Sequence, residues 1–529
     1  MLEALYDKWK SGVVTGDEKP EKPGFVCFNN LVGFLELLHH HICNRSNIIV
    51  HCDVDVDGIG CGYELKRFLE QLTPTPQSYV INKDKEHGIM ERHVDVINRY
   101  GVDLLIIVDS SSNEIEIAKK LNCDVIIIDH HEILHNETYG YTNDGKHKFI
   151  IVNNMIKGSD PSVVNEWIRK VNPETIVKFS DYEPDSRMSC GLVIYELLRI
   201  YCEAYRHYHM VENLMLYQWA GVTLLTDAIP LLTERNQWYM ENTVHSNVVE
   251  QTLQTMLTSL SRYNLRLTKS NISYSLAPTI NKAIRAGASS EALRVVLNSP
   301  SSIVNLLKYR ENQDHAIAVG TTDVIEMDTF VEKDLSNTDI SPNYCGVIAS
   351  KLCDEYKKNA IVFVETNGVC QGSFRGRISG TDYRKQVEGF VDGNYAQGHK
   401  QAFGFKVKRD DLIPTMESLN SIEKEVSTRR YLTAGNLPES ELGVYHISDF
   451  EAFKKAGGII RLGIGNSKVS SDEQIMISVP SSLASLVSNE GKLFIYDVLG
   501  LRCKAFSEIE PGIINLYIEY TNSIDVFIK

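Results

Sequence analysis

Short apolar runs rich in Ile and Val recur along the first third of the chain, separated by stretches of helical periodicity. The runs at 47–53, 78–82, 103–109, 124–129 and 149–153 are nearly continuous in apolar character. Strands buried on both faces read this way. Residues 59–72, 89–100, 113–121, 188–205 and 212–226 read as helices. The alternation predicts an α/β fold with a doubly wound parallel sheet. Residues 1–46 form an N-terminal extension with a helix around 29–43. His39, His40 and His41 fall in that helix, where consecutive side chains point in different directions. They are expected to pack or face solvent, not to chelate.

The pattern changes further along. The first α/β domain is assigned to 47–240, and 241–340 reads as a helical connector without a long strand signal. A second, smaller α/β domain is assigned to 341–430. There CGVIASKLCDEY reads as a helix, AIVFVE as a strand and GSFRGRIS as a turn plus strand. Residues 431–529 read as a β-rich C-terminal module, with alternation in KLFIYDVLGL and INLYIEYTNSIDVFIK. No internal repeat or low-complexity tract interrupts this order.

Composition narrows the class. The chain of 529 residues is too long for one core, and its 43% apolar and 23% charged content is that of a globular protein. No apolar run approaches a membrane span, and the N-terminus lacks a signal-peptide core. The 11 cysteines are scattered without CxxC spacing, which fits a reducing, cytoplasmic setting. A net charge of −15 argues against a broad basic surface for duplex DNA. It does not exclude a local basic groove.

Chemistry gathers at the ends of the predicted strands. His51, Asp53, Asp55 and Asp57 stand in HCDVDVDG, Asp109 in LLIIVDSSS, and Asp129, His130 and His131 in VIIIDHHE. Parallel strands bring such ends to one sheet edge, where ligands bind. If extended geometry persists through HCDVDVDG, its alternate residues point to one side, and Gly58 permits a tight turn into a helix near Ile59. A further acid, Asp227, follows in GVTLLTDAIPL. So many carboxylates in one place repel one another unless cations compensate. Oxygen ligands mixed with imidazole suit divalent Mn, Mg, Fe or Zn. Asp109 is a natural bridge, because one carboxylate binds two cations.

A second constellation lies beyond. Gly372, Ser373 and Arg375 in GSFRGRIS offer a backbone donor, a hydroxyl and a guanidinium. Gly398, His399, Ala402 and Gly404 form GHxxAxG. Small residues let backbone approach a ligand, and a helix starting there would aim N–H groups at an anion. Lys83, Lys85 and Arg377 are further basic candidates for phosphate contact.

The motifs HxDxDxDG, VDSS, DHH and TDAIPL, in that order, resemble the DHH phosphoesterase superfamily. The resemblance implies two divalent ions, with Mn expected and Mg as alternative. It places His51, Asp55 and Asp109 on one ion and Asp57, Asp109, His130 and Asp227 on the other. Asp53, Asp129 and His131 then orient ligands or face substrate. The second constellation resembles the DHH-associated domain, which implies substrate contacts from Ser373, Arg375, Gly398 and His399. GNYAQGH stands where many relatives have three glycines before the His. APTINKAIRAG, Ala277 to Gly287, resembles a RecJ-type motif and adds Arg285. The resemblance implies a single-strand-specific DNA exonuclease acting from the 5′ end through a two-metal-activated water. It also leaves room for a single-strand-binding or replication protein as partner. The alternatives are a phosphodiesterase for short oligonucleotides or cyclic dinucleotides, and a non-catalytic DHH scaffold in a replication or repair assembly.

Overall fold

The computed structural model describes residues 22–419 except 84–85, 134–140, 144–145, 182, 228, 230–232, 245, 262–266, 357, 377–381, 391–394 and 400–401, together with 474–480, 502–510 and 513–519. Two compact units divide at residues 307 and 308.

The first unit is built on a six-stranded sheet. A short parallel pair, β1 (Phe25–Val26) with β8 (Phe179–Asp181), lies outside it. The large sheet comprises β2 (Ile48–Cys52), β3 (Ser78–Ile81), β4 (Leu104–Val108), β5 (Asp124–Asp129), β6 (Tyr141–Asn143) and β7 (His147–Asn153), in the order β3-β2-β4-β5-β7-β6. All pairs are parallel except the edge pair β6–β7. The five strands read from the apolar runs are therefore all present. On one face, Leu105, Ile107, Val125, Ile127, Phe149 and Ile151 pack with Val94, Ile97 and Leu121. Ile106, Ile126, Ile128, Ile150 and Val152 on the other face are equally buried. This double burial explains the continuous apolar runs.

Helices α1 (Leu31–Cys43), α2 (Val56–Leu72), α3 (Glu91–Arg99), α4 (Cys190–Ala204) and α5 (Tyr217–Thr226) flank this sheet in sequence, followed by α6 (Ala277–Arg285) and α7 (Ser289–Asn298). Three expectations change. The helix expected over 113–121 shrinks to the single turn Ile115–Ala118. Helix α2 starts at Val56, not near Ile59, because Asp55 caps it by accepting the Gly58 N–H. Gly58 lies within the first turn, where a Cβ would meet the Asp53 backbone at 2.7 Å. The helix expected over 212–226 is split by Met215, whose φ of 56° breaks the turn before α5.

The second unit carries another six-stranded sheet. Its strands are β9 (Ile325–Glu326), β10 (Phe330–Asp334), β11 (Asn359–Thr366), β12 (Val369–Arg375), β13 (Tyr395–His399) and β14 (Ala402–Lys408), ordered β13-β14-β12-β11-β10-β9. Strands β9 and β10 fall in a stretch expected to be helical. β10 reads FVEKD, too short and too charged to signal a strand, yet Glu332 and Lys333 are buried. Lys333 is held by a hydrogen bond to the Thr322 carbonyl at 2.6 Å. Helix α8 (Cys345–Tyr356) packs on one face of this sheet, with Ile348, Ala349 and Leu352 against Ala360 and Val362. Helix α9 (Tyr383–Phe390) and residues 409–419 close the other, around Phe363, Phe374, Phe403 and Phe405. A three-stranded antiparallel sheet, β15 (Gln474–Pro480), β16 (Arg502–Glu510) and β17 (Ile513–Glu519), is ordered β15-β17-β16. It bears out the β-rich reading of the C-terminal region; KLFIYDVLGL lies outside the described residues.

Candidate metal centre and phosphate-binding face

The sheet register places the chemistry. Ile81 pairs with Cys52, Cys52 with Val108, Val108 with Ile128, and Asp129 with Asn153. The next residue along each strand is polar. Asn82, Asp53, Asp109, Asp129 and Asn153 therefore form one row across the C-terminal edge. Asp109 and Ser111 adopt left-handed backbone, with φ of 64° and 76°. This costs a non-glycine residue roughly 1–2 kcal/mol, which the surrounding fold must offset. The Asp109 N–H is tied to the Ile128 carbonyl at 2.9 Å.

Each side chain of the row is held by its neighbours. Asp57, in the first turn of α2, accepts hydrogen bonds from the N–H groups of Cys190 and Gly191, both at 2.9 Å. These are the first amides of α4, and a helix N-terminus favours a carboxylate. His130 Nδ1 bonds the Met188 carbonyl at 2.9 Å, which fixes the proton on Nδ1. Its Nε2 then faces Asp109 Oδ1 at 3.3 Å and Asp227 Oδ2 at 3.6 Å. Asn82 donates to the Glu86 and Gly88 carbonyls, so its Oδ1 accepts from His51 Nε2 at 3.3 Å. His51 Nδ1 is buried and finds no hydrogen-bond partner among the described residues, nor does Asp109 Oδ1.

The charges are poised for compensation. Burial, then Asp227 and Asp55, pushes the Asp57 carboxyl well above the usual range. Burial, then Asp57 and Asp55, does the same to Asp109. Burial lowers His51 to about 4, so its imidazole is neutral and able to ligate. Asp129 behaves differently. Burial opposes its ionisation, but the His131 imidazolium outweighs burial and holds the carboxyl below the ordinary range. The same pair, with Asp129 Oδ1 at 2.7 Å from His131 Nδ1, lifts His131 to about 10 despite its burial.

Potential ligand atoms lie within 4.8 Å of one another in three groups: Asp53, Asp55 and Asp109; Asp57, His130 and Asp227; and Asp109, His130 and His131. Asp109 belongs to two of them. Clustered acids with raised pKa values, orphaned Asp109 and His51 atoms, and mixed oxygen and nitrogen donors fit divalent cations. His51 stands outside the three groups, beside His93 at 5.7 Å between ring centroids. A cavity of about 150 Å³ opens on Asp55, Asp57 and Asp227, and its far wall is Asn281, Ile284 and Arg285 of α6.

Several residues of this centre escaped the sequence reading. His87 Nδ1 lies 2.6 Å from Asp53 Oδ2, and Asn153 binds Ser112 and the His131 carbonyl, both at 3.0 Å. Asn82 and Asn153 carried a usable signal: each is the first polar residue after an apolar run. His87 lies in the loop that leaves β3 at the same edge. Asn281 belongs to the motif that pointed to Arg285.

In the second unit, Gly372, Ser373 and Arg375 lie within β12, not in a turn. No helix starts at GHxxAxG; Gly398 and His399 end β13, and Ala402 begins β14. The hairpin arises because Gly398, at φ 130°, and the small residues let β13 and β14 pair closely. Register aligns His399, Ala402 and Arg375 in one row and Gln397, Gly404 and Ser373 in the next. The start of α8 also reaches this place, since a Cβ on Gly346 would lie 2.9 Å from Arg375 Nη2 and 3.4 Å from Ser373 Oγ. Lys83 is exposed, while Lys85 and Arg377 lie outside the described residues.

Residues 47–221 match the DHH family, N-terminal domain. The chain is 23% identical over 441 residues to YorK of Bacillus subtilis (strain 168), which bears the name of a prophage-derived single-strand DNA-specific exonuclease, covering 75% of this chain and 69% of that one. It is 22% identical over 413 residues to the single-stranded-DNA-specific exonuclease RecJ of the same organism, covering 73% of this chain and 47% of RecJ. Residues 47–221 thus carry a DHH-family domain, and the chain is similar to RecJ-type proteins over about three quarters of its length. Its fold is shared with RecJ of Thermus thermophilus in complex with Mn2+, at TM-score 0.56 and 16% identity, over 80% of this chain and 59% of that one. A second manganese-bound RecJ exonuclease gives TM-score 0.52 at 17% identity, over 74% of this chain and 93% of that one. Among the described residues, no helix is long and apolar enough to cross a membrane.

Proposed function

We propose that this protein is a divalent-metal-dependent exonuclease that hydrolyses single-stranded DNA from the 5′ end. The carrying observation is the row of Asp53, Asp109 and Asp129 at one register, with three ligand groups built around it. The names of the similar proteins support the single-strand substrate, and the polarity rests on the family resemblance.

Cations held by these residues supply a nucleophile active at neutral pH and Lewis-acid polarisation of the phosphate. Asp57, Asp109, His130 and Asp227 would hold one, and His51, Asp55 and Asp109 the other, with Mn expected. Asp129 keeps His131 protonated at neutral pH, so His131 donates a hydrogen bond to a phosphate oxygen. Asp53 is oriented by His87. Arg285 lines the cavity beside Asp55 and Asp57 and balances phosphate charge. In the second unit, Ser373, Arg375, Gly398 and His399 grip a phosphate of the nucleic acid.

The test is a panel of labelled single-stranded DNA, duplex DNA, RNA, a dinucleotide and cyclic dinucleotides, with Mn2+ or Mg2+ and with chelator. Mononucleotides released from the 5′ end of single-stranded DNA alone are expected. Turnover confined to short or cyclic substrates would replace the proposal with an oligonucleotide phosphodiesterase. No hydrolysis with either ion would favour a scaffold.

A further inference from the structure

The phosphate grip on the second unit is not closed off by the fold. The β12–β14–β13 sector of the sheet is buried on one side only. Cys370, Phe374, Phe403, Phe405 and Val407 point into the core beneath. The alternate residues of β12 and β14 face the opposite way; α8 covers that side over β11, at Ala360 and Val362, and its start reaches Ser373 and Arg375 of β12, while Gln371, Lys406 and Lys408 stay exposed. Gln371, Gly404, Lys406 and Lys408 are exposed, and Tyr395 on the edge strand is 47% exposed.

The register turns these residues into a graded series. Arg375 pairs with Ala402, Ser373 with Gly404, Gln371 with Lys406, and Val369 with Lys408. Tyr395 pairs with Lys406 from the other side. Successive rows are roughly 7 Å apart along the strand, the scale of one extended nucleotide. Ala402 and Gly404 leave the middle of the face flat, so a chain can lie down without meeting a long side chain. No ion pair to a described acid holds either Lys406 or Lys408. In a chain of net charge −15, a face carrying Arg375, Lys406 and Lys408 is a local reversal of sign.

We propose that this face is a track for single-stranded nucleic acid that continues past the Ser373–Arg375 grip, a reading that rests on the proposed function. Lys406 and Lys408 each neutralise one further backbone phosphate, and a base stacks on Tyr395. A basic surface with an interleaved aromatic ring binds single strands with little sequence preference. The occupant is a strand and not a duplex, because among the described residues the sheet face offers one line of cations and one exposed ring.

The experiment measures fluorescence anisotropy of labelled oligo-dT of 2, 4 and 12 nucleotides on the full chain, with chelator present to stop hydrolysis. Lys406→Gln with Lys408→Gln should weaken the 12-mer at least tenfold and leave the dinucleotide unchanged. The slope of log affinity against log salt should fall by about 0.7 for each lysine removed. Tyr395→Ala should cost roughly tenfold on the 12-mer, and Tyr395→Phe should restore it, since stacking needs only the ring. The near-ultraviolet circular dichroism spectrum and the bound Mn2+ content of the variants report that they are folded. If the wild-type protein binds and degrades single strands while the lysine and Tyr395→Ala variants match it at every length, the track is wrong and the exonuclease reading stands. If the wild-type protein binds no oligonucleotide of any length, both are wrong.

Discussion

Asn82 Oδ1 meets His51 Nε2 at 3.3 Å, and this contact decides which nitrogen of His51 can ligate. Asn82 is itself fixed by donating to the carbonyls of Glu86 and Gly88 at 2.7 and 2.9 Å. The His51 proton therefore sits on Nε2, and the Nδ1 lone pair is left buried and open. Asn82→Ala removes this orientation without removing a ligand. Outer hydrogen-bond partners of a metal-ligating His are worth ~10–100-fold in affinity. Calorimetric titration with Mn2+ should show a loss in that range. Unchanged affinity would mean that His51 does not ligate through Nδ1.

Asp109 sits in two of the three ligand groups. Asp109→Asn preserves its shape and removes its charge. Hydrolysis should be lost, and Mn2+ binding should weaken by more than the ~10–100-fold typical of an outer partner. Folded protein with normal turnover would refute the bridging role. The near-ultraviolet circular dichroism spectrum serves as the check on folding.

Gly58 tests how tightly the first acid is placed. A Cβ there would lie 2.7 Å from the Asp53 backbone nitrogen and oxygen, which cannot yield as a side chain can. Gly58→Ala should destabilise by about 1–3 kcal/mol, the range of overpacked sites, and should impair metal binding. Urea unfolding together with Mn2+ titration measures both.

The two constellations should separate by mutation. Arg375→Ala and His399→Ala should weaken binding of single-stranded DNA while bound Mn2+ stays at the wild-type level. Asp57→Ala should lose turnover even at saturating substrate. Metal content measured on each purified variant decides the point. Loss of Mn2+ in the Arg375 or His399 variant, with the fold intact, would show that the grip and the metal centre act as one.

Glu114 gives a pH-dependent stability. Burial, then the Asp129 carboxylate, raises its pKa from 4.5 to about 7. The folded protein thus binds a proton more tightly than the unfolded chain, so stability falls as pH rises from about 4.5 through about 7. Glu114→Gln cannot ionise and should escape this decline. Well above pH 7 it should melt at a higher temperature than wild type, with a difference of up to about 3 kcal/mol at about 1.4 kcal/mol per unit of pKa. Melting curves of both proteins across this pH range would show the difference, and parallel profiles would rule it out.

Much of the first unit was legible because its strands are buried on both faces. Such strands must be continuous in Ile, Val and Leu, and the residue that ends each run must meet the edge of the sheet. Asp53, Asp109 and Asp129 could therefore be assigned to one edge from the pattern of the chain. The second unit was harder. β10 is buried with Glu332 and Lys333 in it, so its composition hides it. GHxxAxG has glycine and alanine at positions that suit either a helix start or a close hairpin, and cross-strand pairing with β12 selects the hairpin.

The sequence by itself determined the parallel α/β class, the edge on which the acids gather and the residue types available to a cation. It did so because burial and periodicity are local properties of the chain. Only the tertiary structure decided the partners. The Cys190 and Gly191 amides on Asp57, the Met188 carbonyl on His130 and the Asn82 amide on His51 come from residues up to 134 positions away. Which nitrogen carries a proton, and how each carboxylate is held, depends on these long-range contacts. No local pattern encodes them.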